Sequence, residues 1–313
     1  MSVLYLVCRL PYGRHSYKAA KLMREGMLLG SLLTNCESWI NLTETDLTKL
    51  EQPDLMLQKK LLSISGNPCK AFMSLELGII PVRFVIMGRR LNCLHYILNE
   101  PINSMISEVF KALKEESRKG DFYQLVQKDL QDLDIEMSEN YIMNYKKCQW
   151  KLFVKDQVKN AAFMFLVNEN SSRKKTKDII FSELKMSDYL FQNRNKKLSE
   201  IIFSVRAKTF DIKIWQPWRY QDDLCVKCQL EEENMDHFIN CTHYENKHKG
   251  ISWKNILANN VEDQYDIAQF IFTRQVERER MLDVLQGGQP MDPGSGAPGD
   301  LSTVEQCSSN ISE

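Results

Sequence analysis

Apolar side chains recur at helical intervals along most of the chain, and the strict alternation typical of β-strands is scarce. Between residues 43 and 64, leucines repeat at helical spacing, and Thr43 followed by Asp46 has the pattern of a helix start. Pro53 predicts that this stretch divides into two helical pieces, because a proline inside a helix removes a hydrogen bond. The pattern therefore predicts a mainly α-helical protein.

The same periodicity predicts further helices as far as about Ala207. These are a short helix ended at Gly78, a longer one opened by Pro81, two amphipathic segments within 102–133, a long helix over 141–167, and helices at 178–191 and 198–207. After about Arg280 the chain is rich in Gly, Pro and Ser and has almost nothing to bury. This composition predicts a disordered tail over residues 281–313.

Charge is balanced over the whole chain but not along it. The 313 residues include 41 Lys and Arg and 41 Asp and Glu, so no global field attracts nucleic acid or membrane. Residues 141–220, however, contain 17 basic and 7 acidic side chains. This basic middle is the part of the chain that a polyanion would meet.

The cysteines indicate a reducing compartment. Nine are present, an odd number, and six of them are scattered singly, which favours free thiols over a disulfide framework. The apolar run at the start is too short for a signal peptide, and the one around Pro81 is too short to cross a bilayer. We expect a soluble intracellular protein, nuclear or cytoplasmic, without a membrane partner.

A metal site is predicted near the carboxy-terminal end of the basic region. Its ligands would be Cys225, Cys228, His237 and Cys241, in the spacing Cys-x2-Cys-x8-His-x3-Cys. Two cysteines separated by two residues form a tight turn, and a His and a Cys four apart share one helix face. Three thiolates and one imidazole predict a closed, structural Zn2+ site that orders a short segment. His243 and His248 lie nearby and are alternative ligands with less natural spacing.

Immediately before this site, Tyr220-Gln221-Asp222-Asp223 has the form of a polymerase metal-binding turn. Such a turn joins apolar strands and needs a third carboxylate on a neighbouring strand. The preceding WQPWRY is not an apolar strand, and the region upstream of it has a helical pattern. We therefore expect a solvated loop at Asp222 and Asp223, and no catalytic residues in this chain.

Several segments resemble the region after the palm in reverse transcriptases of non-LTR (LINE-type) retrotransposons. They are, in order, SLLTNCESW, the Leu-rich helix after it, LELGIIPVRF, RRLNCLHYIL, SDYL, and IIFSVRAKTFDI followed by LCVKC and DHFINC. The resemblance covers about residues 30–244. It implies a helical thumb-like region at 1–100, a helical carboxy-terminal segment at 101–214, a zinc-binding module at 215–250 and a helical extension at 251–280.

The departure from that family concerns catalysis. In the family, the palm with its catalytic aspartates lies before the SLLTNCESW region, and here only about 30 residues precede it, too few for a palm. No endonuclease domain and no hydrolase or phosphate-binding signature is seen either. The resemblance thus implies a catalytically inactive fragment that is not expected to polymerise DNA and has no evident small-molecule substrate.

The remaining function that the resemblance implies is RNA or DNA binding. Phosphate contacts are predicted from ten basic residues: Lys146, Lys147, Lys151, Arg173, Lys174, Lys175, Lys177, Arg194, Lys196 and Lys197. Tyr145, Trp150, Trp215 and Trp218 are candidates for stacking on bases, although Trp150 is better explained as a core residue. The alternatives are a structural or protein-interaction remnant without a nucleic-acid role, and a polymerase that uses Asp222 and Asp223.

Overall fold

The computed structural model describes residues 17–285, except for 41, 65–67, 117, 119, 193, 246–251 and 258–259. Helices dominate this part of the chain, as the apolar periodicity predicts. Within it, β-pairing is limited to one isolated antiparallel bridge between Leu224 and Glu232. The fold class predicted from the sequence is confirmed.

The first half of the chain forms nine α-helices among the described residues. They are α1 (Tyr17–Met23), α2 (Leu29–Leu32), α3 (Glu44–Leu61), α4 (Lys70–Leu77), α5 (Val82–Leu98), α6 (Met105–Glu116), α7 (Phe122–Asp132), α8 (Glu139–Met143) and α9 (Lys147–Ser171). A π-helical turn, Arg24–Leu28, joins α1 to α2, and a 3-10 turn covers Cys36–Ser38.

The second half alternates helices with short turns. It contains α10 (Asp188–Gln192), α11 (Lys196–Arg206), 3-10 turns at Lys213–Trp215 and Pro217–Arg219, α12 (Met235–Asn240), a 3-10 turn at Trp253–Leu257 and α13 (Val261–Leu285). The last helix continues to Leu285, so residues 281–285 of the predicted tail are helical. The rest of that tail, 286–313, lies outside the described residues.

Helix α3 begins as predicted but is not divided at its proline. Thr43 and Asp46 form a reciprocal capping box at its start, and the helix then runs through Pro53 without a break. The predicted division into two pieces is therefore wrong. Buried Leu57 and the ion pair from Asp54 to Arg24, 2.5 Å long, fix the second half, and these contacts offset the hydrogen bond that Pro53 cannot make.

Gly78 ends α4 in the left-handed conformation, at φ 61°, and this predicted helix end is confirmed. A Cβ atom at this position would lie 2.4 Å from the backbone carbon of Lys185 and the nitrogen of Met186. Glycine is required here both by the backbone angle and by the close approach of a second chain segment. Pro81 then precedes α5, also as predicted.

Two predicted helices are shorter or divided in the structure. The helix predicted over 141–167 is two helices, α8 and α9, separated at Lys146, whose backbone is extended and whose N–H donates to Gln149 Oε1 over 3.2 Å. The helix predicted over 178–191 is reduced to α10. The segment before α10 lies instead against α4, where the N–H of Ser187 donates to the carbonyl of Glu76 over 2.8 Å. A local hydrogen bond therefore marks the first break, and a tertiary contact overrules local helix propensity at the second.

The described residues enclose two main apolar cores. One lies among α4 to α9 and includes Trp150, which is 1% exposed and donates its indole N–H to the carbonyl of Leu91 over 3.1 Å. The other joins α4 and α10 to α13 with the cysteine-containing segment around α12, through residues such as Phe72, Phe203 and Phe238. The segment with the predicted metal ligands therefore shares its core with helices from both halves of the chain.

No single helix of the described residues has the length and apolar character to cross a membrane. Helices α4 and α5 meet these criteria only when they are taken together, and they are bent by 60° relative to each other.

Candidate metal centre

Four side chains predicted as ligands converge at one point. The ligating atoms of Cys225, Cys228, His237 and Cys241 all lie within 4.8 Å of one another. The two buried thiols, Cys225 and Cys241, have their sulfur atoms 3.9 Å apart, and the Sγ of Cys228 lies 3.3 Å from His237 Nε2. A single metal ion can contact all four atoms. This is the only such cluster within the described part of the chain.

A tight turn positions the first two cysteines. The isolated bridge between Leu224 and Glu232 closes a short loop, inside which the N–H of Cys225 donates to the carbonyl of Glu231 over 2.7 Å. Gln229, in the left-handed region at φ 56°, donates its N–H back to the carbonyl of Cys225 over 2.9 Å. The loop therefore holds the sulfur of Cys225 and that of Cys228 on the same side.

Helix α12 supplies the other two ligands. The side chain of Asn234 accepts a hydrogen bond from the N–H of His237 over 2.8 Å and thereby caps the helix start. Cys241 follows the last helical residue, and its N–H donates to the carbonyl of His237 over 2.7 Å. The predicted spacing of four thus places imidazole and thiol on one face of a short helix, as expected.

Glu231 lies behind the imidazole. Its Oε2 atom is 3.0 Å from His237 Nδ1, so the second ring nitrogen can donate to a carboxylate while Nε2 faces the sulfur atoms. Carboxylate contacts of this kind fix the ring orientation of histidines that ligate metals. Glu231 was not predicted from the sequence, because it is one of three consecutive glutamates that are indistinguishable by pattern.

The two cysteines of the turn differ in their tendency to ionise. Burial raises the pKa of the Cys225 thiol to about 12, and the neighbouring Cys228 N–H group and other contacts do not outweigh it. Burial also acts on Cys228, but the N–H groups of Leu230 and Glu231 and the side chain of His237 outweigh it and lower the pKa of this thiol to about 7. In the absence of a cation, Cys228 is therefore the thiol that ionises first, and a bound cation would be required to make Cys225 a thiolate at neutral pH.

Two arginines of α13 anchor this segment. Arg278 forms a two-pronged ion pair with the fully buried Glu233, with N···O distances of 2.9 and 2.7 Å. Glu233 also accepts the N–H of Lys213 over 3.1 Å. Arg274 donates to the carbonyls of Phe238 and Cys241 over 2.6 and 3.3 Å. Every one of these contacts joins the ligand-bearing segment to another element.

The contacts of Arg274 and Arg278 with this segment were not predicted from the sequence. Arg274 and Arg278 are spaced by four on an apolar helix pattern, which is a signal that two charges share its buried face. Nothing in the sequence separates Glu233 from its two preceding glutamates. The pairing of Glu233 with Arg278 could be identified only from the fold.

The two aspartates before the site face a cation and the solvent. Lys213 donates to Asp222 Oδ1 over 2.6 Å, and the N–H of Leu224 donates to the same atom over 3.0 Å. The hydrogen bond from Lys213 lowers the pKa of the Asp222 carboxyl. The carbonyl of Asp223 accepts the N–H of Glu233 over 2.6 Å. These residues follow a 3-10 turn, and no carboxylate cluster forms around them among the described residues.

Of the two alternative ligands, His243 lies outside the cluster of four, and His248 lies outside the described residues.

The ten residues predicted to contact phosphates occupy three separate stretches of the chain. Lys146, Lys147 and Lys151 are exposed at the start of α9, and Arg173, Lys174, Lys175 and Lys177 are exposed in the loop after its end. A helix of 25 residues separates these groups by roughly 35 Å. They do not form a single patch, although both are open to solvent.

The other three predicted contacts lie at the start of α11 and just before it. Arg194 is held by Glu262 through two N···O contacts of 2.5 Å, and Lys196 lies 3.7 Å from Glu200. Lys197 is exposed and has no carboxylate partner within the described chain. Arg194 and Lys196 are therefore less available to a polyanion than the others.

The four aromatic residues predicted to stack on bases also differ in their exposure to solvent. Trp150 is a core residue, as the sequence favours, and Tyr145 packs against both Trp150 and Phe153. Trp218 is 73% exposed, and Trp215 is half-buried with its ring edge-on to Trp253 at 6.0 Å. Trp218 therefore has the most open surface of the four candidates, and Trp215 and Tyr145 are partly exposed.

Comparisons with known proteins return nothing: no protein-family model, no curated protein and no solved structure matches this chain.

Proposed function

We propose that Cys225, Cys228, His237 and Cys241 bind a structural Zn2+ ion. The observation that carries this proposal is the convergence of three thiols and one imidazole from two local elements. Tetrahedral zinc with bonds of about 2.3 Å to sulfur places its sulfur ligands about 3.8 Å apart, and Cys225 and Cys241 are separated by 3.9 Å. Four protein ligands leave no open position, which is the arrangement of structural rather than catalytic zinc.

The expected role of the ion is to tie the turn at 224–232 to α12. Neither element is long, and zinc binding supplies folding free energy to such segments. Cys228→Ser should reduce bound zinc from about one per chain to almost none, as measured by elemental analysis of purified protein. Cys148→Ser is the matched control, because Cys148 is exposed and outside the cluster. Equal zinc content in the two variants would contradict the proposal.

We further propose that the protein is a catalytically inactive RNA- or DNA-binding module, similar to the carboxy-terminal part of a non-LTR retrotransposon reverse transcriptase. The resemblance of residues 30–244 supports this proposal. So does the exposed loop at 173–177, whose four cations have no carboxylate partner within the described residues. Cations of this kind are free to displace counterions from a phosphate backbone.

Salt dependence tests this binding. Affinity for an RNA or DNA duplex should fall steeply with added salt, and Lys174→Glu combined with Lys177→Glu should weaken it and reduce the slope by about one per lysine contact. Lys49→Glu with Lys111→Glu makes the same change in net charge at exposed positions elsewhere. If both pairs weaken binding equally, only net charge matters and the loop is not the contact.

A second candidate is a structural or protein-interaction role without nucleic acid. It is favoured by an apolar stripe at the start of α6, where Ile102, Met105, Ile106 and Val109 are exposed and Met105 is 80% accessible. Stripes of this kind on a helix are typical of contacts with another protein. Absence of any salt-dependent binding in the titration above would favour this role.

A further inference from the structure

A cleft beside the basic loop combines cations with reachable aromatic faces. It has a volume of about 490 Å3 and lies between the loop after α9, helix α11 and the two 3-10 turns that follow it, with the residues after α3 and one residue of α13 completing its wall. Its lining includes Lys175, Lys197, Lys208, Trp215 and Trp218. The volume is within the range of sites that bind small ligands or single nucleotides. Residues that the sequence places about 20 to 40 positions apart thus meet in one cleft.

Trp218 is the unusual member of this cleft. Its side chain is 73% exposed, whereas a tryptophan held only by core packing would be buried. It follows Pro217 in a 3-10 turn, and the ammonium of Lys175 lies over its ring at 5.7 Å from the centroid. The ring therefore lines the cleft, is open to solvent and has a cation beside it.

The charges of the cleft leave cations available. Its two acidic residues each have other partners. Asp211 accepts the hydroxyl of Tyr220 over 2.7 Å and pairs with Arg219 at 3.1 Å. Glu200 accepts a hydrogen bond from the hydroxyl of Ser63, which also lines the cleft, and lies 3.7 Å from Lys196.

Lys208 lies 3.9 Å from Asp178, a weak pairing. Lys175 and Lys197 have no carboxylate partner among the described residues. The wall beside Trp218 is thus net positive, as a phosphate requires.

We propose that this cleft binds single-stranded nucleic acid, with one base stacked on Trp218 and the adjacent phosphates on Lys175 and Lys197. This inference rests on the proposed nucleic-acid function and deepens it. A base within a duplex already has both faces covered by its neighbours, so only an unpaired base offers a face to an exposed tryptophan. Trp215, a half-buried lining residue, offers a second aromatic surface.

The test compares single-stranded and duplex ligands. Affinity is measured by fluorescence anisotropy for a labelled oligouridylate and an oligothymidylate of about 12 nucleotides, and for a duplex of the same length, at one low salt concentration. Trp218→Ala should weaken single-strand binding about tenfold and change duplex binding less than about twofold, because stacking on one side chain contributes an effect of this size. Trp218→Phe, which keeps an aromatic face, should recover most of the affinity.

The matched control is Phe191→Ala, since Phe191 is also an exposed aromatic residue with a lysine over its ring but lies outside the cleft. It should leave single-strand affinity unchanged. Lys175→Ala, which keeps Trp218 and removes only a proposed phosphate contact, should also weaken single-strand binding.

The outcomes separate the two proposals. If the unmodified protein binds neither ligand, the nucleic-acid function fails and the inference fails with it. If it binds both but Trp218→Ala and Lys175→Ala bind single strands normally, the function stands and the cleft is not the site. A loss confined to the duplex, or equal for both ligands, would also overturn the single-strand assignment.

Discussion

The ligand-bearing segment at 224–244 and the helical region from α4 to α9 are stabilised in different ways. The helical region packs long helices over a continuous apolar core, with α9 lying across α4 and α5. The segment has one six-residue helix and one isolated bridge, and it has no core of its own. Its buried side chains, such as Phe238 and Ile239, join the apolar core that it shares with α4 and α10 to α13, and Arg274 and Arg278 add charged contacts to α13. Short elements cannot enclose a core alone, so the segment depends on this shared core, on charged contacts and on a proposed metal ion.

Each region also contains a buried ion pair, and the two pairs differ in quality. Arg278 and Glu233 are joined by two hydrogen bonds, and a backbone N–H also donates to Glu233. Arg90 and Asp129 approach to 3.3 Å, but Arg90 Nε and Asp129 Oδ2 have no hydrogen-bond partner among the described residues. A buried pair stabilises a fold only when its hydrogen bonds are made, so the first pair anchors its region and the second does not.

The largest effect on stability is expected from breaking the ion pair between Arg278 and Glu233. Arg278→Ala leaves the fully buried Glu233 without its partner and should lower the free energy of unfolding by about 3–5 kcal/mol in urea denaturation. Arg280→Ala, on the exposed side of the same helix, should change it by less than about 0.5 kcal/mol. Comparable losses in the two variants would mean that the pair is not the anchor.

A backbone change should act next most strongly, in the helical region. Gly78→Ala forces a Cβ atom into the backbone of Lys185 and Met186 at a positive φ, and should cost about 3 kcal/mol. Gly30→Ala is the control, because it lies in α2 with nothing within 4 Å of its added Cβ, and it should stabilise by up to about 1 kcal/mol. Thermal unfolding of both variants would measure the difference, and equal melting temperatures would contradict the close approach at Gly78.

The smallest effect concerns the poorly bonded pair and depends on pH. Burial, only partly offset by Arg90, raises the pKa of Asp129 to about 6, whereas the unfolded chain has a value of about 3.9. Between these two pKa values the folded state keeps a proton on Asp129 that the unfolded chain has lost. The contribution of Asp129 to the free energy of unfolding therefore falls by about 2 kcal/mol as the pH rises from about 4 to above 6. Asp129→Asn should remove this component.

The free energy of unfolding of both proteins is measured at about pH 4.5 and at about pH 7.5, one below and one above the raised pKa of Asp129. The unmodified protein should lose more stability than Asp129→Asn over this interval. If the two proteins lose the same amount, Asp129 is ionised in the fold at both values and Arg90 holds it more effectively than the geometry indicates.

Helix ends were predicted correctly where they depend on residues close together in the sequence, such as a capping pair or a glycine at the helix end. The capping pair at Thr43 and the left-handed Gly78 were both identified from sequence and are confirmed. Pro53 was misjudged because its cost is local and is offset by contacts of Asp54 and Leu57 with other parts of the chain. The helix predicted over 178–191 failed for the same reason, since Ser187, just before α10, is held against α4 by a hydrogen bond to the carbonyl of Glu76.

The four side chains that converge at the candidate metal site were predicted from the sequence, and their surroundings were not. Cysteine spacing within one short segment limits where the sulfur atoms can go, so the ligand set follows from the local chain. Glu231, Glu233 and Arg278 contribute through orientation and long-range pairing, which adjacent glutamates with identical side chains do not distinguish. The same holds for Trp218 and Lys175, whose meeting depends on how three elements close around one cleft.

By itself, the sequence determined the helical class, several helix ends, and the four ligands of the candidate site, because each depends on residues within a few positions of one another. The tertiary structure alone decided which charges are buried and paired, where the cation-lined cleft opens, and that the ligand-bearing segment shares its core with distant helices. Burial and long-range pairing depend on the packing of the whole chain, and no local spacing encodes them.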